Sequence, residues 1–544
     1  MKKYTIYSLY IGLLFGLFAC SNPSNNQQTD GGLLDECPIV ASRQVDNHDT
    51  LTIFHLSKVK EKEQIIPLSA LTNSLRLIKL ENTEAALVRQ GGISVSEHYI
   101  GIHGFGQVPY KLFDQKGKYI HQIGSFGQGP NEYKVLYDDQ IDEKNNRIYL
   151  LPWTTNNILV FDMQGNALPP IPLPNRIPKG VFNIDTQKEQ LTMGMIPFKW
   201  LENNMTVWQQ DFKGNILQQV NGEQFYVGDD YSNEVYNTKN TTSFDFMQFS
   251  WVPRQDSLYH YSTQENKLYP VFTTDFENSE IIRHSFTELK DYYIVCLMTE
   301  VTAGAFGSKA SGFRYILIDK STLKGSYVKF VNDYLANIEI EYPDLAFMEG
   351  RFVQNFDPGD LKGKMETALS TATGMTEDEQ SKWAQLINSF SEDDNNYILI
   401  GDIKDSHTLT PAQTTPGVQV IAPSGYQEME KTASSLTHID TSDSKDTVVV
   451  TTPFFYEWKN YFRENNKYKD WDAKNEKAVM IRAAVDEQGH LSQIRLFRKS
   501  GEEKLDEEAL RLVKGIKQID PAKNKANEPI KTNNFIITVY FPPK

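Results

Sequence analysis

Short runs in which apolar and polar residues alternate dominate the chain from about residue 50 to 406, and Gly, Asn and Asp punctuate them. A period of two marks a half-buried strand, so the pattern predicts repeated antiparallel hairpins. Residues 111–133 (KLFDQKGKYIHQIGSFGQGPNEY) show the unit most clearly. Leu112 and Phe113 are apolar strand residues. Residues 114–118 form a turn with Gly117 where positive φ is needed, and residues 119–123 alternate as the return strand. Gly124, Gly127, Gly129 and Pro130 then break the chain into a tight loop. Variations follow at 147–151 with 158–162 and a turn to Gly165, and at 208–212 with a turn to Gly214. Further ones are 258–261 with 267–272, 315–319 with a turn over 323–325, and finally 397–401. Units of roughly 45 to 60 residues are the signature of a β-propeller, whose four-stranded units bury both faces only by stacking in a ring.

Two regions break the pattern. Residues 360–390 carry helical spacing, at 365–369 and 377–387, and are expected as a helical insertion between strands of the last unit, capping a central channel or packing as an appendage. Residues 407–452 are rich in Ser, Thr, Asp and Pro and read as a linker. Beyond it, 453–462 suits a short helix, and 478–485 alternates, with Val479, Ile481, Ala483 and Val485 on one face. Residues 486–489 make a turn and 491–497 the return strand. Ser500 with Glu503 forms an expected capping box for an amphipathic helix that buries Leu505, Ala509, Leu512, Val513 and Ile516. Residues 534–541 close the unit as a strand, giving a small α+β order β-β-α-β.

The N-terminus changes the picture of location. Lys2 and Lys3 precede an apolar run over 4–18, about fifteen residues, short of the ~20 a span needs and suited to a signal peptide. Leu17, Phe18, Ala19 and Cys20 resemble the lipobox of bacterial lipoproteins, which implies cleavage before Cys20 and lipidation of its thiol. Residues 1–20 are then the signal peptide and 21–49 a flexible tether. No Asp follows Cys20, so an outer-membrane, periplasm-facing anchor is expected. Cys37 and Cys296 remain; an oxidising compartment permits a bridge, two separate thiols are as compatible, and Cys296 sits in an apolar run that reads as core.

Composition narrows the partners. The 544 residues carry a net charge of −15, which argues against a general nucleic-acid binder and against adhesion to an anionic membrane surface. Aromatic content of 12% suits β-structure. No pair among the three cysteines has metal-ligand or redox spacing.

Two resemblances add to this reading. Residues 77–80 (LIKL), 113–120 (FDQKGKYI), Ile123 and Gly124, and 127–133 (GQGPNEY) resemble the first blade of six-bladed β-propeller lipoproteins of Gram-negative envelopes. That resemblance implies six blades over 50–406, with an early strand near Thr52 and Ile53, or over 65–68, completing the last blade and removing its open edge. Residues 485–489 (VDEQG), 499–501 (KSG), 505–509 (LDEEA), Pro521 and Ala522 resemble the TonB C-terminal domain over 453–544, departing from it at 524–530 (NKANEPI). Such domains pair an edge strand with an extended peptide of an outer-membrane transporter. This chain lacks an inner-membrane helix and a Pro/Lys-rich spacer, so the domain is expected as a protein- or cell-wall-binding module.

Candidate chemistry is sparse. The loop Gly124, Gly127, Gly129 lacks a following helix and a Lys-Ser/Thr pair, so a β-turn is expected over a phosphate cradle. Glu132 stands at a loop mouth, as a ligand group or a cap of backbone N–H groups. His98, His103 and His121 lack helical pairing for a metal. Asp138, Asp139, Asp142 and Glu143 lack the punctuation of a calcium loop and read as a solvated turn. No catalytic motif stands out. The expectation is a non-enzymatic envelope lipoprotein without cofactor, catalytic residue or metal. Its propeller is a binding platform, and its TonB-like domain contacts TonB-dependent uptake components or peptidoglycan. The alternatives are a propeller hydrolase or lyase acting on glycans or lactones at the central channel, recognisable by converging carboxylates and His, and a TonB-type energy transducer.

Overall fold

The computed structural model describes residues 32–423 and 458–542, apart from short stretches at 47–48, 89–90, 105–107, 202–204, 229, 278–279, 305–306, 373–374, 392, 406–408, 411–415, 472–476 and 524–528. Cys20 and the expected signal peptide lie outside the described residues. The chain is mainly β and divides into two compact units, Met1–Met429 and Glu430–Lys544. No helix among the described residues is long and apolar enough to cross a membrane.

Among the described residues, the larger unit holds six main sheets, each built on four antiparallel strands, and three of them are extended by further strands. Sheet 1 comprises Gly91–Val95, Tyr99–Gly104, Tyr110–Asp114 and Tyr119–Ile123. Sheet 2 comprises Leu136–Asp142, Arg147–Pro152, Thr155–Phe161 and Ala167–Ile177. Sheet 3 runs from Gly180–Asp185 to Ile216–Asn221, sheet 4 from Glu234–Tyr236 to Lys267–Asp275, and sheet 5 from Arg283–Glu288 to Gly325–Asn332. Sheet 6 comprises Ala346–Met348, Arg351–Phe356, Tyr397–Asp402 and Arg76–Lys79.

Apolar runs such as 147–151 are explained by burial on both faces. Ile148 and Leu150 enter the core shared with sheet 1, while Tyr149 and Leu151 enter the core shared with sheet 3. Ile316 and Ile318 likewise face sheet 4, and Tyr315 and Leu317 face sheet 6. The last core, with Ile78, Ile398 and Ile400 against Ile93, Ile102 and Phe113, joins sheet 6 to sheet 1. Burial at about 25 cal/mol per Å² of apolar surface makes these shared cores the main stabilising term.

The hairpin turns share one device. Asp114 Oδ1 accepts from the N–H groups of Lys116 and Lys118 at 2.8 and 2.9 Å, while Gly117 takes φ 81°. Asp162, Asp211 and Asp486 repeat it, the last in the second unit. An Asp carboxylate that binds its own turn leaves a position of positive φ that suits Gly. In sheet 5 the turn differs from the expectation: Leu323, rather than a Gly, takes φ 60°, and Gly325 begins the next strand.

Three further expectations are corrected. The strand that completes sheet 6 is Arg76–Lys79, with Leu77 opposite Leu399, not a segment near Thr52–Ile53 or 65–68. Asp49–His55 instead adds in parallel to the outer strand of sheet 4, and Gln64–Pro67 to that of sheet 5. The expected tether over 21–49 contains a strand, Ala41–Asp46, paired to Asp49–His55, because Val40 and Ala41 have a core to enter. The expected linker over 407–452 begins with chain that belongs to the fold: Leu409 is buried and Gln419–Ile421 adds in parallel to Arg76–Lys79.

Two helices, Pro358–Thr371 and Glu377–Ser389, lie between Arg351–Phe356 and Tyr397–Asp402. Asp357 caps the first through the N–H groups of Gly359 and Asp360, and Thr376 with Glu379 forms a capping box on the second. They bury Leu361, Met365, Trp383 and Ile387 in the core between sheets 5 and 6, so they pack as an appendage.

The second unit has a sheet in the order Leu491–Arg498, Lys477–Val485, Thr532–Phe541. The helix Glu503–Lys514 covers it, burying Leu505, Ala509, Leu512 and Val513 against Val479, Ile481 and Val539. The expected Ser500–Glu503 capping box is not formed. Gly501 takes φ 83°, and the Ser500 N–H and hydroxyl both donate to Asp506 Oδ1, at 2.7 and 2.8 Å. A helix over Trp458–Asn465 overlaps the expected 453–462 segment and runs past its end; residues 453–457 lie outside the described residues.

Candidate functional site

The first strands of the sheets bring together residues that are far apart in sequence. Lys239, in the turn after Glu234–Tyr236, places Nζ 3.6 Å from Asp138 Oδ1 and 4.0 Å from Glu349 Oε1, and donates to the Asp139 carbonyl at 3.4 Å. Sheets 2, 4 and 6 therefore meet at one ammonium. Backbone bonds fix the meeting: the Glu349 N–H donates to the Thr238 carbonyl, the Asn240 amide to the Phe347 carbonyl, and the Gly350 N–H to Asn240 Oδ1. Lys239 and Glu349 both take φ in the left-handed region, at 56° and 52°. Strain of that kind persists only where surrounding contacts enforce it.

Asp138 and Asp139 face opposite neighbours, as successive strand residues must. Asp138 Oδ2 accepts from the Phe182 N–H of sheet 3 at 2.8 Å. Asp139 Oδ2 accepts from the Tyr110 hydroxyl of sheet 1 at 2.8 Å, and its other oxygen lies 3.5 Å from His103 Nε2. Burial raises the Asp138 carboxyl above its ordinary value against the pull of Lys239, and raises Glu349 likewise, with Asp139 and Asp138 adding. Burial works against the Lys239 ammonium, but Asp138, Glu349 and Asp139 outweigh it and hold its pKa up. Side-chain exposures of 15% for Lys239 and 28% for Glu349 leave the group reachable from solvent. Three carboxylates around one ammonium, with a phenol and an imidazole beside them, have the composition for proton transfer or for binding a cationic or hydroxyl-rich group.

This corrects the solvated-turn reading of the acidic patch. Asp139 is 3% exposed and structural in placement. Asp142 caps the short turn at Glu143–Asn145, and Glu143 accepts from Ser96 Oγ, the His98 N–H and His98 Nδ1. The three histidines separate: His98 joins Glu143, His103 joins Asp139, and His121 is exposed on Tyr119–Ile123. Among the described residues, two groups bring three ligand atoms within 4.8 Å, His55 with Asp275 and Glu277, and Glu97 with His98 and Glu143. In the first group the His55 ring nitrogens bond Ser42 and Asp275, the latter a member of the same group; in the second, Glu143 is engaged as above.

The glycine-rich loop is a brace between sheets 1 and 2. Ser125–Phe126 pairs in parallel with Glu132–Tyr133, and Glu132 Oε2 accepts from the Gly129 N–H at 2.8 Å. Tyr133 donates to the Ile123 carbonyl and accepts from the Tyr110 N–H. Beside this loop opens a cavity of about 980 Å³, lined also by Trp153, Arg176, Trp200 and Tyr231. Sequence reading missed Lys239, Glu349 and the cavity aromatics.

In the second unit, Thr532–Phe541 and Leu491–Arg498 each ladder only with the central strand among the described residues, so they are the two edge strands. Cys37 and Cys296 are both buried and unbonded.

With this geometry in place, comparison with known proteins gives a family. The chain belongs to the family described as a domain of unknown function, DUF4934, whose family model matches residues 51–402. Residues 472–542 match the Gram-negative bacterial TonB protein C-terminal family. No curated protein matches the chain. Among solved structures, an exported protein of Bacteroides fragilis NCTC 9343 is similar at 17% identity and a TM-score of 0.46, over 65% of this chain and 100% of its own. A DUF4221 family member from Bacteroides vulgatus is similar at 9% identity and a TM-score of 0.33, over 62% and 98%. The periplasmic gluconolactonase of Pseudomonas aeruginosa is similar at 8% identity and a TM-score of 0.28, over 44% and 69%.

Proposed function

We propose that this chain is a non-enzymatic cell-envelope lipoprotein, anchored through Cys20 in the outer membrane and facing the periplasm. Its six sheets act as a closed six-bladed β-propeller that serves as a ligand or partner platform. Its TonB-like unit makes a second contact, with a TonB-dependent uptake component or with cell wall. The observation that carries this reading is a three-stranded sheet, with an edge strand on each side among the described residues, whose sequence matches the TonB C-terminal family. An open edge supplies a row of main-chain donors and acceptors that an extended peptide can complete. The test is photo-crosslinking in cells from residues 497 and 540, on the two edges, with acyl-lipid labelling of the chain and of Cys20→Ala. Crosslinks to an outer-membrane receptor, and label lost in Cys20→Ala, support the proposal. Absence of a receptor or cell-wall crosslink from both positions overturns its second half, and label retained in Cys20→Ala overturns the anchor.

A second reading, an enzyme of the hydrolase or lyase type acting on glycans or lactones, is favoured by the convergence of Asp138, Asp139, Glu349, Lys239, His103 and Tyr110. Turnover of a glycan or lactone panel that disappears in Asp138→Asn would establish it over the binding reading.

A further inference from the structure

The 980 Å³ cavity beside the loop between sheets 1 and 2 has the size of a ligand site rather than of a packing fault. Three large aromatics line it with close to half of each surface open: Trp153 at 45%, Trp200 at 50% and Tyr231 at 54%. They are one group. Trp153 meets Tyr231 edge to face at 6.2 Å, and buried Phe198 stacks on Trp200 at 5.6 Å and contacts Tyr231 at 5.7 Å. Leaving that much apolar ring in water is unfavourable, and such patches mark binding sites. Trp153 is also held in place: its N–H donates to the Val135 carbonyl at 2.9 Å, and the next residue, Thr154, takes φ 59°. A β-branched residue in the left-handed region is strained.

The rest of the lining selects the ligand. Gln128, Asn131 and Asn157 offer polar groups around the aromatic floor. Arg176 and Lys134 face the cavity, and neither makes an ion pair among the described residues, on a chain of net charge −15. The Glu132 carboxylate, also in the lining, accepts from the Gly129 N–H and from the Ser125 hydroxyl of its own loop. A peptide adding as a strand is disfavoured by the wall itself. The edge strand Ala167–Ile177 contains Pro169, Pro170, Pro172 and Pro174, which have no N–H to donate.

We propose that this cavity binds a short acidic oligosaccharide. The C–H faces of the sugar rings lie on Trp153, Trp200 and Tyr231, the hydroxyl groups bond the amides, and a carboxylate pairs with Arg176 and Lys134. Arg presents two parallel donors to a carboxylate, which is why the acid form is selected. The inference names the ligand class of the platform proposed above and rests on that reading.

The test uses the full chain with tetragalacturonate and its fully methyl-esterified form, read by calorimetry and by tryptophan emission. The acid is expected to bind and to shift the emission. Arg176→Gln is expected to weaken the acid about tenfold and leave the ester unchanged, and Trp200→Ala to weaken both about tenfold. Because both residues are exposed, neither change threatens the fold. Equal binding of acid and ester overturns the charge selection. Retention of no acidic glycan on an array carrying uronate and sialate oligosaccharides overturns the ligand class. If partners are still captured from cells in that case, the platform reading stands and only its ligand falls.

Discussion

Tyr110 and Asp139 tie sheet 1 to sheet 2: the phenol donates to Oδ2 at 2.8 Å while the Tyr110 N–H donates to the Tyr133 hydroxyl. Burial, and then the Asp139 charge, push the Tyr110 phenol well above its ordinary pKa, so it stays a donor. Tyr110→Phe is expected to leave the buried carboxylate short of a partner and to lower the free energy of unfolding by about 1–3 kcal/mol, measured by urea denaturation.

Gly101 gives the same phenol its room. A Cβ there would stand 1.7 Å from Tyr110 Oη and 2.3 Å from Cζ. Tyr110 is fully buried and has nowhere to move. Gly101→Ala is therefore expected to cost about 1–3 kcal/mol by overpacking, and Tyr110→Phe in the same chain does not rescue it, because Cζ remains. Thermal unfolding of the single and double variants checks this.

Lys239→Met exposes the pH dependence of the central cluster. Asp138 and Glu349 have pKa values raised above the ordinary 3.8 and 4.5. A carboxyl with a raised folded pKa binds its proton more tightly when folded, so stability falls as pH rises through the window above those ordinary values. Lys239 limits that fall by lowering both. The variant is expected to match the parent near pH 4 and to be about 1–3 kcal/mol less stable near pH 7, discounted for partial exposure. Denaturant titrations at the two pH values decide it.

Much of this fold is legible in the sequence because its devices are local. The Asp turns closed by Gly117, Gly165, Gly214 and Gly489 are visible as a repeated spacing, and runs such as 147–151 announce burial on both faces. What escapes is what topology alone decides. Nothing within residues 76–79 says that they complete a sheet begun at residue 346, while 52–55 and 64–67 pair in parallel elsewhere. The Ser500–Glu503 spacing fits a capping box, but Gly501 turns the chain so that Asp506 takes the serine instead. His103, Asp139, Lys239 and Glu349 are invisible as a group because they lie on different sheets.

The second unit has its own core, so damage there should stay there. Leu512 is fully buried between the helix and the sheet. Leu512→Ala is expected to cost about 2–5 kcal/mol. In calorimetry only the transition of the smaller unit should move. A matched shift of both transitions would show that the units unfold together.

The thiols give a fifth check. Cys37 and Cys296 are free, and burial first of all raises both, Cys296 to about 12. Thiolate is the reactive form, so alkylation at pH 8 is expected to be slow in the folded chain and to reach both residues once denaturant is added. Mass spectrometry under non-reducing conditions should find no bridge between them.

The most direct measurement is in-cell crosslinking with affinity capture, comparing the full chain with one ending near Ser444. Capture of a TonB-dependent outer-membrane receptor by the full chain alone is the predicted result, and it places recognition on the C-terminal unit. Capture of the same partner by both forms contradicts that assignment and moves the specificity to the larger unit.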